Sequence, residues 1–278
     1  LQETSAKPHG RLMVFMPPGA GKSSYASVVF PSWYLGAASD RKIILASYGH
    51  TLAKKMGRRT RSILRQRRYQ RIFGCSLSDE SAAADQFALT NGSEYMASGL
   101  LAGITGTRAH GIIVDDPVSG IADARSETIR ESTWEAWQND LLTRLIPGGW
   151  VVLVMTRWDM DDVAGRLLPR EWNGDSGEFE CRDGKRWRVL CIQAKCETGT
   201  DPLGRKPGEY LAPEWFDPGH WSQFEANEIL WNSLYQQRPQ PLGGAFFKEE
   251  QLLVLSQPGT EGRKPIYKPV PMPRYIDA

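Results

Sequence analysis

A short apolar segment that runs into a glycine-rich turn and then into Lys-Ser constrains the fold more than any other feature of the chain. Residues 12–16 form an apolar run typical of a buried strand, and the turn 17–21 contains two prolines and two glycines. Lys22 and Ser23 then open a helical pattern. Strand, glycine turn, Lys-Ser and helix follow one another in phosphate-binding loops, where backbone N–H groups and the helix N-terminus bind polyphosphate.

The loop predicts a nucleotide site with a role for each polar side chain. Lys22 is expected to reach the outer phosphates, and the Ser23 hydroxyl is expected to bind Mg²⁺. The match to the pattern G-x-x-x-x-G-K-[ST] is imperfect, because Met16 occupies the first glycine position. A plain turn with a neighbouring lysine is the alternative interpretation. The residues expected to surround the phosphates are Pro18, Gly19, Ala20, Gly21, Lys22, Ser23 and Ser24.

A second apolar strand ends in two carboxylates. Residues 112–114 are apolar, and Asp115 and Asp116 follow them directly. Beside a phosphate loop, one carboxylate can hold Mg²⁺ while its neighbour polarises the attacking water. Strands also end in Asp at ordinary turns, so this segment alone is a weak indication. Together with the loop, in a chain that alternates strands and helices, it favours a nucleotide hydrolase.

A third apolar strand, at 149–155, runs into Thr156 and Arg157. This polar pair, at the end of a core strand beside the hydrolysis site, would be placed to sense the outer phosphate. The alternative is that Thr156 caps the helix that follows. Three carboxylates at the start of that helix are interpreted as helix-capping groups rather than metal ligands. They are Asp159, Asp161 and Asp162.

Length, composition and charge limit the kinds of protein that this chain can be. The 278 residues can hold one large or two modest domains. No apolar run approaches the roughly 20 residues of a membrane span. The four cysteines lack C-x-x-C spacing, which favours free buried thiols over a zinc site. A net charge of +2 means that nucleic-acid binding would need a local basic patch.

The chain has one such patch, in a predicted helical stretch at 52–73. The stretch contains no acidic residue, and its basic residues are Lys54, Lys55, Arg58, Arg59, Arg61, Arg65, Arg67, Arg68 and Arg71. It is either a solvated helix face or a surface that contacts the phosphate backbone of DNA.

The other segments complete an alternating pattern. Asn91-Gly92 predicts a hairpin with a type I′ turn between two short strands. Apolar spacing predicts a helix over 126–146 with its tryptophans in the core. Residues 172–186 are predicted to be a loop, 187–194 a strand, and 221–235 a helix in a small lid.

Taken in order, these segments resemble the large terminase subunits of tailed bacteriophages, in particular their N-terminal packaging ATPase. The resemblance covers nearly the whole chain and is specific as a combination. It lies in RLMVFMPPGAGKS, KIILASY, GITGTR, IIVDDP, TRLIPGG, VVLVMTRWDMDDVAGRLL, and DPLGRKPGEYLAPEWF through YQQRPQPLGG.

The resemblance implies a motor that uses ATP and Mg²⁺ to move double-stranded DNA into a procapsid. It implies a homo-oligomeric ring on the portal protein, DNA recruitment by a small terminase subunit, and action in the host cytoplasm rather than in the mature virion. No membrane partner is expected. A C-terminal nuclease domain with an RNase H-like fold would begin near the end of this chain, so no nuclease activity and no nuclease site are assigned to it.

The resemblance also implies roles for single residues. Asp115 corresponds to the Mg²⁺-associated Walker B acid, and Thr156 with Arg157 to the motif that couples hydrolysis to subdomain motion. Arg108 resembles the arginine finger supplied to a neighbouring subunit, and a loop arginine facing DNA is its alternative.

The chain departs from the family pattern at two positions. Asp116 occupies a position where many of these proteins have a catalytic Glu, and the loop lacks the arginine that they often carry.

The fold class expected is α/β, a three-layer P-loop (ASCE-type) ATPase with a mostly parallel sheet and a small C-terminal lid subdomain. The expected divisions are a core at 1–195, a lid at 196–242 and a linker at 243–278. A two-lobed DNA helicase is one rival, although the chain has no room for a second RecA-like lobe. A nucleotide-gated DNA-binding module without turnover is another, and a small-molecule kinase is a third.

Overall fold

The computed structural model divides the chain into two compact units, Leu1–Pro239 and Gln240–Ala278. The residues described are 1–104, 106–197, 201–240, 253–256, 260–261, 264–265 and 268–271. In the second unit, β10 (Leu253–Ser256) pairs with β13 (Lys268–Pro271), and β11 (Thr260–Glu261) with β12 (Lys264–Pro265). The rest of the predicted linker, including Asp277, lies outside the described residues.

A nine-stranded sheet forms the centre of the first unit. Its strands are β1 (Arg11–Phe15), β2 (Lys42–Ser47), β3 (Leu77–Ala82), β4 (Gln86–Leu89), β5 (Glu94–Gly99), β6 (Ala109–Asp115), β7 (Leu145–Met155), β8 (Gly177–Glu180) and β9 (Arg186–Cys191). Their order across the sheet is β3-β4-β5-β2-β6-β7-β1-β9-β8. In the part of this order that runs β5-β2-β6-β7-β1-β9, every neighbouring pair of strands is parallel. The outer pairings are antiparallel. The predicted mostly parallel α/β sheet is therefore confirmed.

Helices cover both faces of this sheet. They are α1 (Gln2–Ala6), α2 (Lys22–Ser24), α3 (Phe30–Gly36), α4 (His50–Leu64), α5 (Arg67–Phe73), α6 (Ile121–Arg125), α7 (Glu127–Glu135), α8 (Val163–Leu167), α9 (Pro218–Ser222) and α10 (Glu228–Leu230). Wider π-helical turns follow α2, α7 and α10, at Tyr25–Val29, Ala136–Leu141 and Trp231–Tyr235.

Two hydrophobic clusters, one on each face of the sheet, explain why the sequences of the central strands are continuous apolar runs. Along β7, Val151 and Leu153 belong to one cluster and Val152 to the other, as the two-residue period of a strand requires. Trp137 is fully buried in the first cluster, so the prediction that it belongs to the core is confirmed. A parallel sheet covered on both sides buries both sets of side chains.

The helix after the loop continues past Pro31. Proline lacks the N–H that would bond to Ser27 O, and the π-helical turn Tyr25–Val29 widens the helix just before it. Thr60 Oγ1 of α4 donates a hydrogen bond to the freed Ser27 carbonyl at 3.4 Å. A side chain from a neighbouring helix thus replaces the missing backbone bond.

The hairpin between β4 and β5 is confirmed, but the predicted type I′ turn is wrong. Only Gly92, with φ 81°, has a positive φ in this turn, whereas type I′ requires it at both central residues. Gly92 N donates to Leu89 O, and Leu89 N donates to Ser93 O. A three-residue loop that ends in a left-handed glycine is the alternative hairpin geometry.

Several predicted elements are interrupted in the structure. The basic stretch is two helices, α4 and α5, because Gln66 is extended between them. The helix predicted over 126–146 ends at Arg144, and Leu145 already begins β7. The predicted loop at 172–186 contains the edge strand β8, and the helix predicted over 221–235 is split between α9 and α10. The breaks at Leu145 and at β8 come from strand pairing with β6 and β9, which local periodicity does not encode.

The four cysteines are all free and buried, as predicted. None of the helices in the described part of the chain combines the length and the apolar character needed to span a bilayer.

Gly57 is expected to be required where α4 packs on the sheet. A Cβ added there would lie 2.2 Å from the Ala84 carbonyl oxygen. Alanine gains about 1 kcal/mol in helix propensity, but overpacking costs about 1–3 kcal/mol, so we expect Gly57→Ala to lower the free energy of unfolding. Urea denaturation measures it. The exposed Ser62→Ala in the same helix is the control and should be neutral or slightly stabilising; equal stability of both variants would contradict the predicted clash.

Candidate active site

The strand order brings three strand ends together. β7 lies between β1 and β6, with Phe15 opposite Met155 and Asp115 opposite Val154. Parallel strands end at the same edge of a sheet, so the residues that follow them become neighbours. The loop after β1, Thr156 after β7 and the carboxylates of β6 therefore meet at one edge.

The loop after β1 contains two glycines in a left-handed backbone conformation. Gly19 and Gly21 have φ values of 78° and 88°, a left-handed conformation that other residues rarely adopt. Tyr25 N donates to Gly21 O at 3.2 Å, which starts the helix directly after the turn. The free N–H groups of this first turn face the loop and give the edge a partial positive charge.

Hydrogen bonds join the loop to both carboxylates. Ser23 Oγ donates to Asp115 Oδ1 at 2.9 Å. Lys22 Nζ lies 3.1 Å from Asp116 Oδ2, with the lysine side chain 9% exposed. Thr156 N donates to the other oxygen of Asp116, Oδ1, at 3.1 Å. Asp116 has a φ of 45°, a conformation uncommon outside glycine, which these three strand ends hold in place. The structure thus brings together five of the sequence-predicted site residues.

Asp115 is a buried carboxylate with an unused oxygen. Its Oδ2 accepts no hydrogen bond from the described residues. Burial, and then the neighbouring Asp116 carboxylate, raise the pKa of Asp115 to about 6, although the Ser27 and Ser23 hydroxyls and the charge of Lys22 oppose the shift. A hydroxyl and a carboxylate oxygen are the hard donors that Mg²⁺ prefers, so these residues fit the ion. Within the described residues, no group of three or more His, Cys, Asp or Glu could hold a metal alone. Water or ligand oxygens would complete the coordination.

Thr156 does not cap the helix that follows it. Its Oγ1 donates to Met16 O at 3.1 Å, and the residue is buried. The cap of α8 is Asp162, whose carboxylate accepts a hydrogen bond from Gly165 N at 2.8 Å. The capping interpretation is therefore wrong for Thr156 and confirmed for Asp162. Asp161 instead forms exposed ion pairs with Arg166 and Arg130.

Arg157 is held away from the loop. Its Nε lies 2.8 Å from Asp162 Oδ2, and both side chains are at most 4% exposed. The guanidinium also lies over the rings of Phe15 and Trp172, with its Cζ 5.3 Å and 5.6 Å from the ring centroids. The buried ion pair with Asp162 fixes the orientation of this guanidinium.

Arg108 is not near the loop either. It is exposed and directly precedes β6, whereas Asp115 ends that strand. The seven residues of β6 span about 20 Å, more than an arginine side chain can bridge. Arg108 therefore lies at the opposite edge of the sheet from the loop after β1 of its own chain.

The sequence interpretation did not single out two further residues at this edge. Gln237 is buried, and its Oε1 accepts a hydrogen bond from Arg157 N at 3.1 Å. Arg59 of α4 donates from Nη2 to Ser24 Oγ at 3.2 Å. Arg59 was part of the predicted basic stretch, but no local signal pointed it toward the loop. For Gln237 the only signal was its place in the segment YQQRPQ.

A third hydrophobic cluster packs against the loop from the C-terminal part of the unit. Its buried members are Ile192, Ala194, Leu211, Trp221 and Trp231. Met16 and Ala20 pack against this cluster. The segment that follows β9 therefore contacts the loop directly.

Comparison with known proteins identifies a family. A family model described as terminase large subunit, T4likevirus-type, N-terminal, matches residues 13–228. A sequence comparison with curated proteins finds no match. Among solved structures, a mutant of the Thermus phage P74-26 large terminase ATPase domain is similar with a TM-score of 0.51 and 15% identity, over 83% of this chain and 89% of that chain. This likeness supports the fold.

Two further structures are similar at lower scores. The unmutated Thermus phage P74-26 ATPase domain gives a TM-score of 0.46 at 14% identity, over 82% of this chain and 88% of that one. The large terminase of a thermophilic bacteriophage, in complex with ADP, gives 0.45 at 11% identity, over 84% of this chain. The chain spans about half the length of this large terminase, 48%.

We expect Asp115→Asn to stabilise the ligand-free protein at alkaline pH. A pKa of about 6 in the folded state, against 3.8 for the free side chain, corresponds to about 3 kcal/mol of unfavourable free energy above pH 7. Because the folded-state pKa is raised, this cost is present above pH 6 and disappears as the pH falls toward 4. Thermal unfolding at pH 8 and pH 4.5 measures both limits.

The control for this prediction is Asp79→Asn, which changes an exposed carboxylate on β3. It should leave the unfolding temperature nearly unchanged at both pH values. A stabilisation by Asp115→Asn that is equal at pH 8 and pH 4.5 would contradict the assigned cause, because a neutral Asp115 has no buried charge to relieve.

Proposed function

Because this chain belongs to the T4-like type of terminase large subunits, through their N-terminal domain, we propose that it is an ATP-hydrolysing motor that moves double-stranded DNA into a procapsid. One observation carries the proposal. The phosphate-loop side chains Lys22 and Ser23 bond directly to Asp116 and Asp115, which end a strand two places away in the sheet. This is the arrangement that phosphoryl transfer to water needs.

In the proposed site, the backbone N–H groups of 19–24 and the Lys22 side chain bind the phosphates of ATP. Ser23 and Asp115 hold Mg²⁺, which when bound neutralises charge between the outer phosphates. Lys22 now pairs with Asp116, so phosphate binding to Lys22 would free Asp116 Oδ2. Thr156 N would still hold Oδ1 and keep the carboxylate oriented. The freed oxygen is then available to orient the attacking water and accept its proton.

The same residues support a route from the site to the C-terminal segment. Thr156 N bonds to Asp116, and the next amide, Arg157 N, bonds to Gln237. A change at Asp116 therefore acts on the peptide next to the one that holds Gln237. We assign Thr156 and Arg157 the coupling role and residues 196–242 the role of the lid that moves, next to a core at 1–195.

The proposed DNA contact is the exposed basic face of α4 and α5. Lys55, Arg58 and Arg65 are exposed there, and further arginines follow in α5. Phosphate contacts by such residues give affinity without sequence preference, as a packaging motor requires. The proposed partners are the portal protein, a small terminase subunit and further copies of the chain in a ring, assembled in the host cytoplasm.

We expect the purified chain to hydrolyse ATP and Lys22→Ala to lower turnover by about 100-fold or more, since the lysine stabilises charge on the transferred phosphoryl group. Phosphate release is measured at several protein concentrations, with and without linear duplex DNA. Turnover should rise with concentration or with DNA if sites are shared in a ring. Bound ATP without turnover under every condition would favour a nucleotide-gated binding module instead.

Arg108 is expected to act across a subunit interface, because β6 separates it from the site of its own chain. Arg108→Ala and Lys22→Ala subunits should each be nearly inactive alone, yet a mixture should recover part of the activity. In the mixture an intact phosphate loop can face an intact Arg108. Phosphate release from mixtures of varied ratio tests this, with each variant mixed with itself as the control. A mixture no more active than its parts would count against a shared site.

A further inference from the structure

Arg59 reaches the phosphate loop from another helix. Its Nη2 donates to Ser24 Oγ at 3.2 Å, although 35 positions separate the two residues. Ser24 is the third residue of the helix that Lys22 begins, so the guanidinium lies beside the first turn of that helix. Arg59 itself is exposed, and no ion pair holds it within the described residues.

Packing between the two helices keeps Arg59 at this position. Its neighbour on α4, Thr60, is fully buried and bonds to Ser27 O in the same loop-bearing helix. Gly57, two residues before Arg59, lets α4 approach the carbonyl of Ala84. The backbone of Arg59 is therefore fixed, while its side chain remains open to solvent.

A cation at this place is unfavourable unless an anion joins it. The first turn of a helix carries partial positive charge, which attracts carboxylates and phosphates and repels guanidinium groups. Lys22, also at this end, is already paired with Asp116. The Arg59 contact adds a second cation to this helix N-terminus, and unlike Lys22 it has no carboxylate partner among the described residues, so its charge is available to an anion.

The loop and the helix that follows it contain few basic residues. Between Arg11 and Arg41 the only basic residue is Lys22. The polyphosphate of a nucleotide carries several negative charges, and charge-assisted hydrogen bonds from arginine bind phosphate well. Among the described arginines, Arg59 contacts the loop-bearing helix in its first turn, at Ser24.

We propose that Arg59 binds the inner phosphates of the nucleotide, next to Ser24, and supplies in cis a cation that the loop itself lacks. The inference rests on the proposed nucleotide site and adds a residue to it. Ser24 comes after Lys22 and Ser23 along the first turn, so Arg59 lies beyond the residues assigned to the outer phosphate and to Mg²⁺. Its contact therefore falls on phosphates that ATP and ADP share.

The test compares nucleotide affinities of three variants by competition with a fluorescent ADP analogue. Arg59→Ala should weaken ATP and ADP by a similar factor, roughly 10- to 100-fold, as expected for the loss of a charge-assisted hydrogen bond. Arg59→Lys should recover part of the affinity, because the charge remains while the two-pronged geometry is lost. The control, Arg186→Ala, removes an equally exposed arginine at the N-terminal end of β9 and should leave both affinities unchanged.

Lys22→Ala separates failure of this inference from failure of the proposed function. If Lys22→Ala loses nucleotide and Arg59→Ala does not, the role of Arg59 is refuted and the site stands. If Lys22→Ala keeps full affinity, the proposed site itself fails. A loss of DNA binding by Arg59→Ala with unchanged nucleotide affinity would also refute the inference and return Arg59 to the basic DNA face. The unfolding temperature of Arg59→Ala should match that of the unchanged chain, since its side chain is exposed.

Discussion

The parallel ladder that joins β1, β7 and β6 extends one residue beyond each strand, and the candidate site depends on that extension. Met16 N donates to Met155 O, and Asp116 N donates to Val154 O at 2.9 Å. These bonds, with that of Thr156 Oγ1 to Met16 O, fix the backbone where it turns away from the sheet. A slip of one residue between two strands would turn every following side chain to the other face. Both faces of β7 pack into hydrophobic clusters, so a slip would have to repack both of them, and core packing thus sets the geometry of the polar groups.

The ligand-free site is electrostatically incomplete. It holds two adjacent carboxylates against one paired lysine, and burial raises the pKa of Asp115 to about 6. Such an arrangement lowers the stability of the fold. It also places a desolvated carboxylate oxygen, Asp115 Oδ2, where a divalent cation could bind it. Asp116 has the complementary environment, with one oxygen held by a backbone amide and the other by a lysine that phosphate can draw away. Strain and unbalanced charge of this kind concentrate at functional sites.

Local features of the site were readable from the sequence because the responsible interactions are local. An apolar run, a glycine turn and Lys-Ser are enough to predict a strand, a left-handed turn and a helix start. The insertion of β7 between β1 and β6 is not local, so the sequence predicted which residues meet but not how Thr156 reaches them. Arg157 shows the limit most clearly. Its partner Asp162 is five residues away and was interpreted only as a cap, whereas in the fold it neutralises a buried guanidinium. The edge strand β8 was missed because its pairing with β9 overrides local propensity.

The three arginines near the motif residues occupy three different environments, and charge balance explains why they are not interchangeable. Arg157 is buried and neutralised by Asp162, so it contributes order at the end of β7 rather than free charge. Arg108 is exposed at the far edge of the sheet, where another molecule can reach its charge. Arg59 is exposed at the near edge and contacts the loop-bearing helix. A polyphosphate bound here meets one lysine in its own loop, so additional positive charge has to come from α4 or from outside the chain. In the proposed motor, such a site would make turnover depend on ligand binding and on assembly.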